Sequence, residues 1–202
     1  MILDTLSQHL VNRYGAFGIL LGMTVESAGI PLPSEVIMPL GGLLSPNLPA
    51  LVGVIAIGTA GNLLGSWIAY GIGAGIRARL GAQAGGGANR PAHGHLAAAY
   101  AWWDRRGGLA VLVGRLLPGV RTYISFPAGV AAMPPARFTV YTLLGSAVWS
   151  AVLAALGYAL RGRWHAISPW FDRYTVVVLG ALAVAVVLWL VARGRRAVRR
   201  GG

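Results

Sequence analysis

Residues 114–129 (Gly-Arg-Leu-Leu-Pro-Gly-Val-Arg-Thr-Tyr-Ile-Ser-Phe-Pro-Ala-Gly) set the tightest limit on how this chain can fold. Arg115 and Arg121 stand six residues apart in a segment that is otherwise apolar and is broken by Gly114, Pro118, Gly119, Pro127 and Gly129. One straight spanning helix is excluded, because each proline removes a backbone donor and clashes with the preceding turn. Irregular backbone at membrane depth is tolerated only where protein or water lines it. Arginine stays charged at any accessible pH, and its planar fork of donors suits phosphate or carboxylate. An unpaired arginine at that depth costs at least about 2.5 kcal/mol. The segment therefore reads as a place where something anionic is met.

Composition supplies the membrane. Of 202 residues, 56% are hydrophobic and 11% charged, and mean hydropathy is +0.65, against a charged share near 25% in ordinary soluble domains. The net charge of +12 comes from arginine alone, opposed by Asp4, Glu26, Glu35, Asp104 and Asp172. The arginines alternate with apolar spans, which fits loop orientation and anionic headgroups better than nucleic acid. The absence of cysteine excludes disulfides and cysteine-based metal or redox chemistry. No basic stretch precedes the first apolar run, so no removable signal peptide is expected.

In chain order, residues 1–14 pattern as an amphipathic interfacial helix, with Ile2, Leu3, Leu6, Leu10 and Val11 on one side. The run from Tyr14 to Val25 is short of the roughly 20 residues a helix needs to span. It meets Glu26-Ser27-Ala28-Gly29-Ile30-Pro31-Leu32-Pro33-Ser34-Glu35 and turns apolar again through Leu44. A helix that stops part way, a bend around Pro31 and Pro33, and a half-helix capped by Ser34 account for this, making a re-entrant hairpin over about 15–45. Residues 48–76 predict a spanning helix whose Gly58, Gly61 and Gly65 admit a close neighbour. Residues 77–107 predict a polar connection with a short helix from His95 to Trp103, and 108–134 a second interrupted hairpin. Phe138 to Leu160 predicts another span. Residues 161–192 predict a polar turn and a last span from Tyr174, and 193–202 form a basic tail.

The arginines of that tail place the C-terminus in the cytoplasm. Counting back puts Arg137 and the 77–107 connection there too, so the first hairpin opens outward and the second inward. Opposed hairpins of this kind are an inverted repeat. Pro39-Leu40-Gly41 against Pro127-Ala128-Gly129, and Gly65-Ser66 against Gly145-Ser146, support it. The expected fold is thus an all-α polytopic membrane protein with two opposed re-entrant hairpins.

These residues resemble the DedA family, whose domain is also called VTT or SNARE-associated. The resemblance covers roughly residues 15–160. It rests on Glu26 with Pro31-Leu32-Pro33-Ser34-Glu35, and on the Arg-x-x-Pro-Gly-x-Arg string from Arg115 to Arg121 leading to Ala128-Gly129-Val130-Ala131-Ala132-Met133. It implies movement of lipids across the bilayer, including polyprenyl phosphate carriers in bacteria, with dependence on the proton gradient. The family's acids fall on Glu26 and Glu35 and its arginines on Arg115 and Arg121. A departure is Gly61-Asn62, where many members carry Gly-Asp.

On this reading Arg115 and Arg121 bind a lipid phosphate, aided by backbone amides of a helix start near 120–122. The competing reading is that they snorkel to an interface. Loss of either to alanine should abolish transport and leave expression intact. Glu26 and Glu35 handle protons, or else only neutralise the arginines. Pro31, Pro33, Pro118, Gly119, Pro127 and Gly129 shape the hairpins. His93 and His95 form a His-x-His that reads as a solvated loop rather than a metal site, and Trp102, Trp103, Trp164 and Trp170 read as interfacial anchors.

The function expected is a flippase for an anionic lipid, undecaprenyl phosphate or a phospholipid. It is expected to be proton-coupled and to lie in the bacterial plasma membrane. A small-ion or proton antiporter and an energy-independent scramblase are the alternatives. A membrane lipid phosphatase would need a nucleophile or metal. His9, His93, His95 and His165 all lie outside the hairpins, so no enzyme, cofactor or metal is expected. The expected partners are an anionic lipid and protons, without nucleic acid, and a homo-oligomer is left open.

Overall fold

The structure, a computed structural model, describes residues 2–30, 32–83 and 95–161. Pro31, the middle of the expected polar connection, and the expected last span and basic tail lie outside the described residues, as do His93, His165, Trp164 and Trp170. All regular structure among the described residues is helical: α1 (Ile2–Ser27), α2 (Ser34–Leu44), α3 (Leu48–Gln83), α4 (His95–Leu116), α5 (Val120–Tyr123), α6 (Ser125–Val130) and α7 (Pro135–Ala159). Two stretches among the described residues are long and apolar enough to cross a membrane, Leu48–Arg79 and Pro135–Ala159.

Helix α1 breaks at Gly15 (φ 53°, ψ −125°), a conformation that glycine reaches without a Cβ penalty. The break falls where the amphipathic start gives way to the apolar run. Helix α1 ends at Ser27, and Gly29 (φ 117°) turns the chain toward α2. Pro33 stands at the N-cap of α2 with no side-chain cap, which corrects the expectation that Ser34 caps this helix. Asn47 caps α3 instead, its Oδ1 accepting from the Ala50 amide at 3.0 Å.

The expected polar connection is shorter than its composition suggests. Helix α3 continues to Gln83, and α4 starts at His95 and runs unbroken to Leu116. Gly107-Gly108 does not end it, because both glycines are packing positions. A Cβ on Gly107 would press on the Trp103 ring, and one on Gly108 on the Tyr141 ring. The chain thus enters the expected second interrupted stretch on a helix that began at His95. It breaks at 117–119, where Gly119 takes φ 77°, passes through the single turn α5 and through α6, and reaches Pro135 in the first turn of α7.

Helices α3 and α7 run antiparallel at the centre. The Asn62 amide reaches Ser150 (3.5 Å), while Trp67 and Tyr70 pack on Phe138. Helix α1 runs parallel to α3: Gly61 faces the backbone at Leu20 and Thr24, and Gly65 that of Thr24 and Ala28. Helix α4 runs parallel to α7 in the same manner, with Gly108 against Tyr141 and Gly145 against Leu112 and Arg115. The short arms cross over. Gly42 of α2 meets the Ala154 carbonyl while Gly157 meets that of Pro39, and Gly129 of α6 meets the Tyr70 carbonyl while Gly73 meets that of Phe126. The contacts come in corresponding pairs, with Gly61, Tyr70 and Gly73 matching Gly145, Ala154 and Gly157 at one constant interval.

Candidate functional site

Both breaks deliver the ends of half-helices to the same interior, where α1 and α5 touch. Glu26 lies in the last turn of α1 and Arg115 in that of α4. Ser34 opens α2, Ser125 opens α6, and Arg121 sits in α5. Glu26, Arg115 and Arg121 are 3%, 2% and 3% exposed. Side chains this deep are retained only when paired or hydrogen-bonded. Their partners show how the sequence solves that problem.

Arg121 pairs with Glu26: its Nη2 donates to Glu26 Oε1 and to Ser34 Oγ. Its guanidinium also lies over the Trp149 ring, 4.8 Å from the centroid, within cation–π range. The Ser34 hydroxyl in turn donates to Glu35 Oε2 (3.2 Å). Glu35 itself is only half-buried, so the second acid reaches Arg121 through a hydroxyl and not by direct contact. The hydroxyl expected to cap α2 is used here.

Arg115 has no such partner. Its Nη2 donates to Ser66 Oγ and to Ser125 Oγ (2.6 Å), both neutral, and no carboxylate among the described residues pairs with it. Its stem packs on α7 where Gly145 leaves room. Around it, Ser66 donates to the Asn62 carbonyl, Ser27 donates to Asn62 Oδ1 (2.5 Å), and Asn62 donates to Ser150. The three fully buried ionisable side chains thus leave one cation unmatched. Glu26 Oε2 and Arg115 Nε are buried without a hydrogen-bond partner, as are Thr142 Oγ1, Ser146 Oγ and Trp149 Nε1 of α7.

Of the residues singled out in the sequence, Glu26, Arg115 and Arg121 are buried together in this interior, and Glu35 is linked by one hydroxyl. Pro33, Pro118 and Gly119 sit at the breaks, and Pro127 and Gly129 lie inside α6, with Gly129 serving its contact with α3. The expected help from amides at 120–122 is not available at Arg121, whose N–H donates to the Leu117 carbonyl (3.1 Å). Sequence reasoning missed Ser34, Ser66, Ser125, Asn62 and Trp149 as partners. Trp102 is exposed, whereas Trp103 is half-buried against the cluster of Tyr70, Val111, Ala128, Met133 and Phe138. No set of three His, Cys, Asp or Glu side chains placed to share a metal occurs among the described residues.

The VTT domain family matches residues 32–159, a range that includes Glu35, Arg115 and Arg121 and excludes Glu26. The chain is 33% identical over 186 residues to a Lactococcus lactis protein named alkaline phosphatase-like protein, covering 90% of this chain and 87% of the relative. It is 28% identical to undecaprenyl phosphate transporter A of Bacillus subtilis over 93% of each chain. To the Escherichia coli inner membrane protein YghB it is 32% identical, covering 80% of this chain and 71% of the relative. No solved structure matches the chain. With its apolar helices, its buried arginines and these relatives, the chain is a membrane protein of the VTT-domain, or DedA, family.

Proposed function

We propose that this protein carries an anionic lipid, undecaprenyl phosphate or a phospholipid, across the bacterial plasma membrane, and is not an enzyme. The observation that carries the reading is Arg115: a buried cation held only by hydroxyls is a charge waiting for an anion. Lipid phosphate supplies it, in the bidentate geometry that a guanidinium favours. Arg121 is the second phosphate ligand, reached by displacing Glu26. A carboxylate released in a water-poor interior takes up a proton, and the free Glu26 Oε2 supports that role. Glu35, one hydroxyl away, is the exit for that proton. The relative named as an undecaprenyl phosphate transporter points to the same cargo class.

The helix directions support two opposed re-entrant hairpins, because each short arm returns to the end from which its partner started. The corresponding glycine contacts support an inverted repeat. In such folds a site at the repeat interface is exposed alternately to each side. The membrane domain in this reading is 15–160, preceded by an interfacial helix and followed by a last span and a cytoplasmic basic tail.

The test is transfer of fluorescent polyprenyl phosphate between leaflets of proteoliposomes, with and without an inward proton gradient. The native chain should transfer it faster with the gradient. Arg115→Ala should lose transfer under both conditions, while Glu26→Gln should lose only the response to pH. Transfer that Arg115→Ala leaves unchanged would refute the phosphate site. A pH response that persists in Glu26→Gln would remove that residue from coupling.

A further inference from the structure

The buried face of α7 holds polar groups for which the pairing of arginines and acids gives no use. Thr142 and Ser146 stand one turn apart, 0% and 2% exposed, and neither hydroxyl has a hydrogen-bond partner. Trp149, the next inner position, presents a buried indole N–H that is also unpartnered. Buried hydroxyls in an apolar helix ordinarily bond a carbonyl one turn back. Thr24, Thr59 and Ser45 do so here. Thr142 and Ser146 do not, and an unsatisfied buried polar group destabilises the fold. Three of them on one face are a standing cost to the fold.

Their setting gives the reason. The same face carries Gly145, against which Arg115 packs, and Trp149, beneath the Arg121 guanidinium. Arg115 Nε, unpartnered as well, joins the set. Indole N–H and guanidinium N–H only donate, and the two hydroxyls can donate. Such a set suits a group rich in acceptor oxygens and repels a cation. From Thr142 to Trp149 the helix rises about 10 Å, more than one phosphate covers.

We propose that the inner face of α7 is part of the binding site, in which Thr142 and Ser146, on the face against which Arg115 packs at Gly145, and the Trp149 N–H, beside Arg121, take the oxygens of a phosphate at two successive levels. The proposal rests on the reading of the arginines as phosphate ligands and adds the residues that complete each level. The phosphate is passed along α7 from one arginine to the other without leaving hydrogen-bonding partners. The cost of the unpaired donors is offset when the ligand arrives.

Single changes test this, because each removes a donor: Thr142→Val is close to isosteric, Ser146→Ala loses one oxygen, and Trp149→Phe keeps a smaller aromatic ring under Arg121. Binding of geranylgeranyl monophosphate to the detergent-solubilised protein is measured by calorimetry. Geranylgeraniol serves as the control without phosphate and inorganic phosphate as the control without lipid. Each variant should weaken binding of the monophosphate about tenfold, the worth of one hydrogen bond to a charged group. The ligand-free Tm should stay level or rise in Thr142→Val and Ser146→Ala, since an unsatisfied group has been removed. Affinity within twofold of native in all three variants, with Arg115→Ala abolishing binding, would overturn the α7 proposal and leave the arginine site standing. A fall in Tm without loss of affinity would also overturn it, marking a structural role. Equal binding by native and Arg115→Ala would refute the arginine reading itself. Inorganic phosphate binding as tightly as the lipid would identify free anion as the ligand. Binding of the lipid 100-fold tighter would identify a headgroup.

Discussion

Arg115 and Arg121 carry the same charge in the same interior, but their partners differ, and so should the consequences of losing them. Removing Arg121 strands Glu26 as a buried carboxylate whose Oε2 already has no partner. Breaking a buried pair from one side costs on the order of 3–5 kcal/mol. Arg121→Ala should therefore lower Tm as well as abolish transport, and Glu26→Gln in the same chain should restore most of the Tm without restoring transport. Arg115→Ala removes a cation that has only hydroxyl partners, so its Tm should stay near native while transport is lost. Equal Tm losses in the two single variants would contradict the unequal pairing. The charged residues were legible in the sequence because charge at membrane depth is costly and therefore rare. Their division into a paired and an unpaired cation was not, because it depends on which half-helix end meets which. The hydroxyl partners were hidden for another reason, since serine and threonine are ordinary in apolar helices. The unpartnered donors of α7 leave a positional trace instead, since Thr142, Ser146 and Trp149 recur at helical spacing on one face.

At the scale of elements, helices meet where glycine permits it. A methyl group on Gly42, Gly129 or Gly157 would run into the backbone of the facing helix, which cannot rotate away as a side chain can. Gly42→Ala and Gly129→Ala should each destabilise by about 1–3 kcal/mol, the usual range for overpacking. Gly71→Ala, with open space around it in α3, should be neutral or stabilising by up to about 1 kcal/mol. Tm in detergent separates the two groups, and a loss at Gly71 as large as at Gly42 would show that glycine serves the helices in some way other than contact. The half-helices were legible from proline, glycine and charge within apolar runs. The lengths of α3 and α4 were not. Arginines from 77 onward and Gly107-Gly108 look like a loop by composition. Hydropathy reports where apolar surroundings end, however, and a helix can continue beyond that point. Gly107 and Gly108 stay in the helix because aromatic rings fill the space beside them.

Across the whole of residues 2–161, the antiparallel central pair sorts the arginines to two ends. The end of α3, the start of α7 and the middle of α4 bring Arg77, Arg79, Arg105, Arg106 and Arg137 to one end, where Arg137 Nη1 donates to the Asp104 carbonyl (2.8 Å). The other end holds Arg13 and Arg161, with Arg161 Nη1 near the Pro46 carbonyl (3.5 Å). Basic residues are retained on the cytoplasmic side during insertion, so the first end is expected to face the cytoplasm and the 44–48 link to face outward. This expectation needs no residue beyond those described. The chain has no cysteine, so single cysteines report position without background. Pro46→Cys should react with a membrane-impermeant maleimide in intact spheroplasts. Ala136→Cys, exposed at the start of α7, should react only after permeabilisation. The opposite pattern would invert the protein, and with it the side on which the first hairpin opens. Labelling of both positions from outside would break the two-ended arrangement on which alternating exposure of the arginines depends.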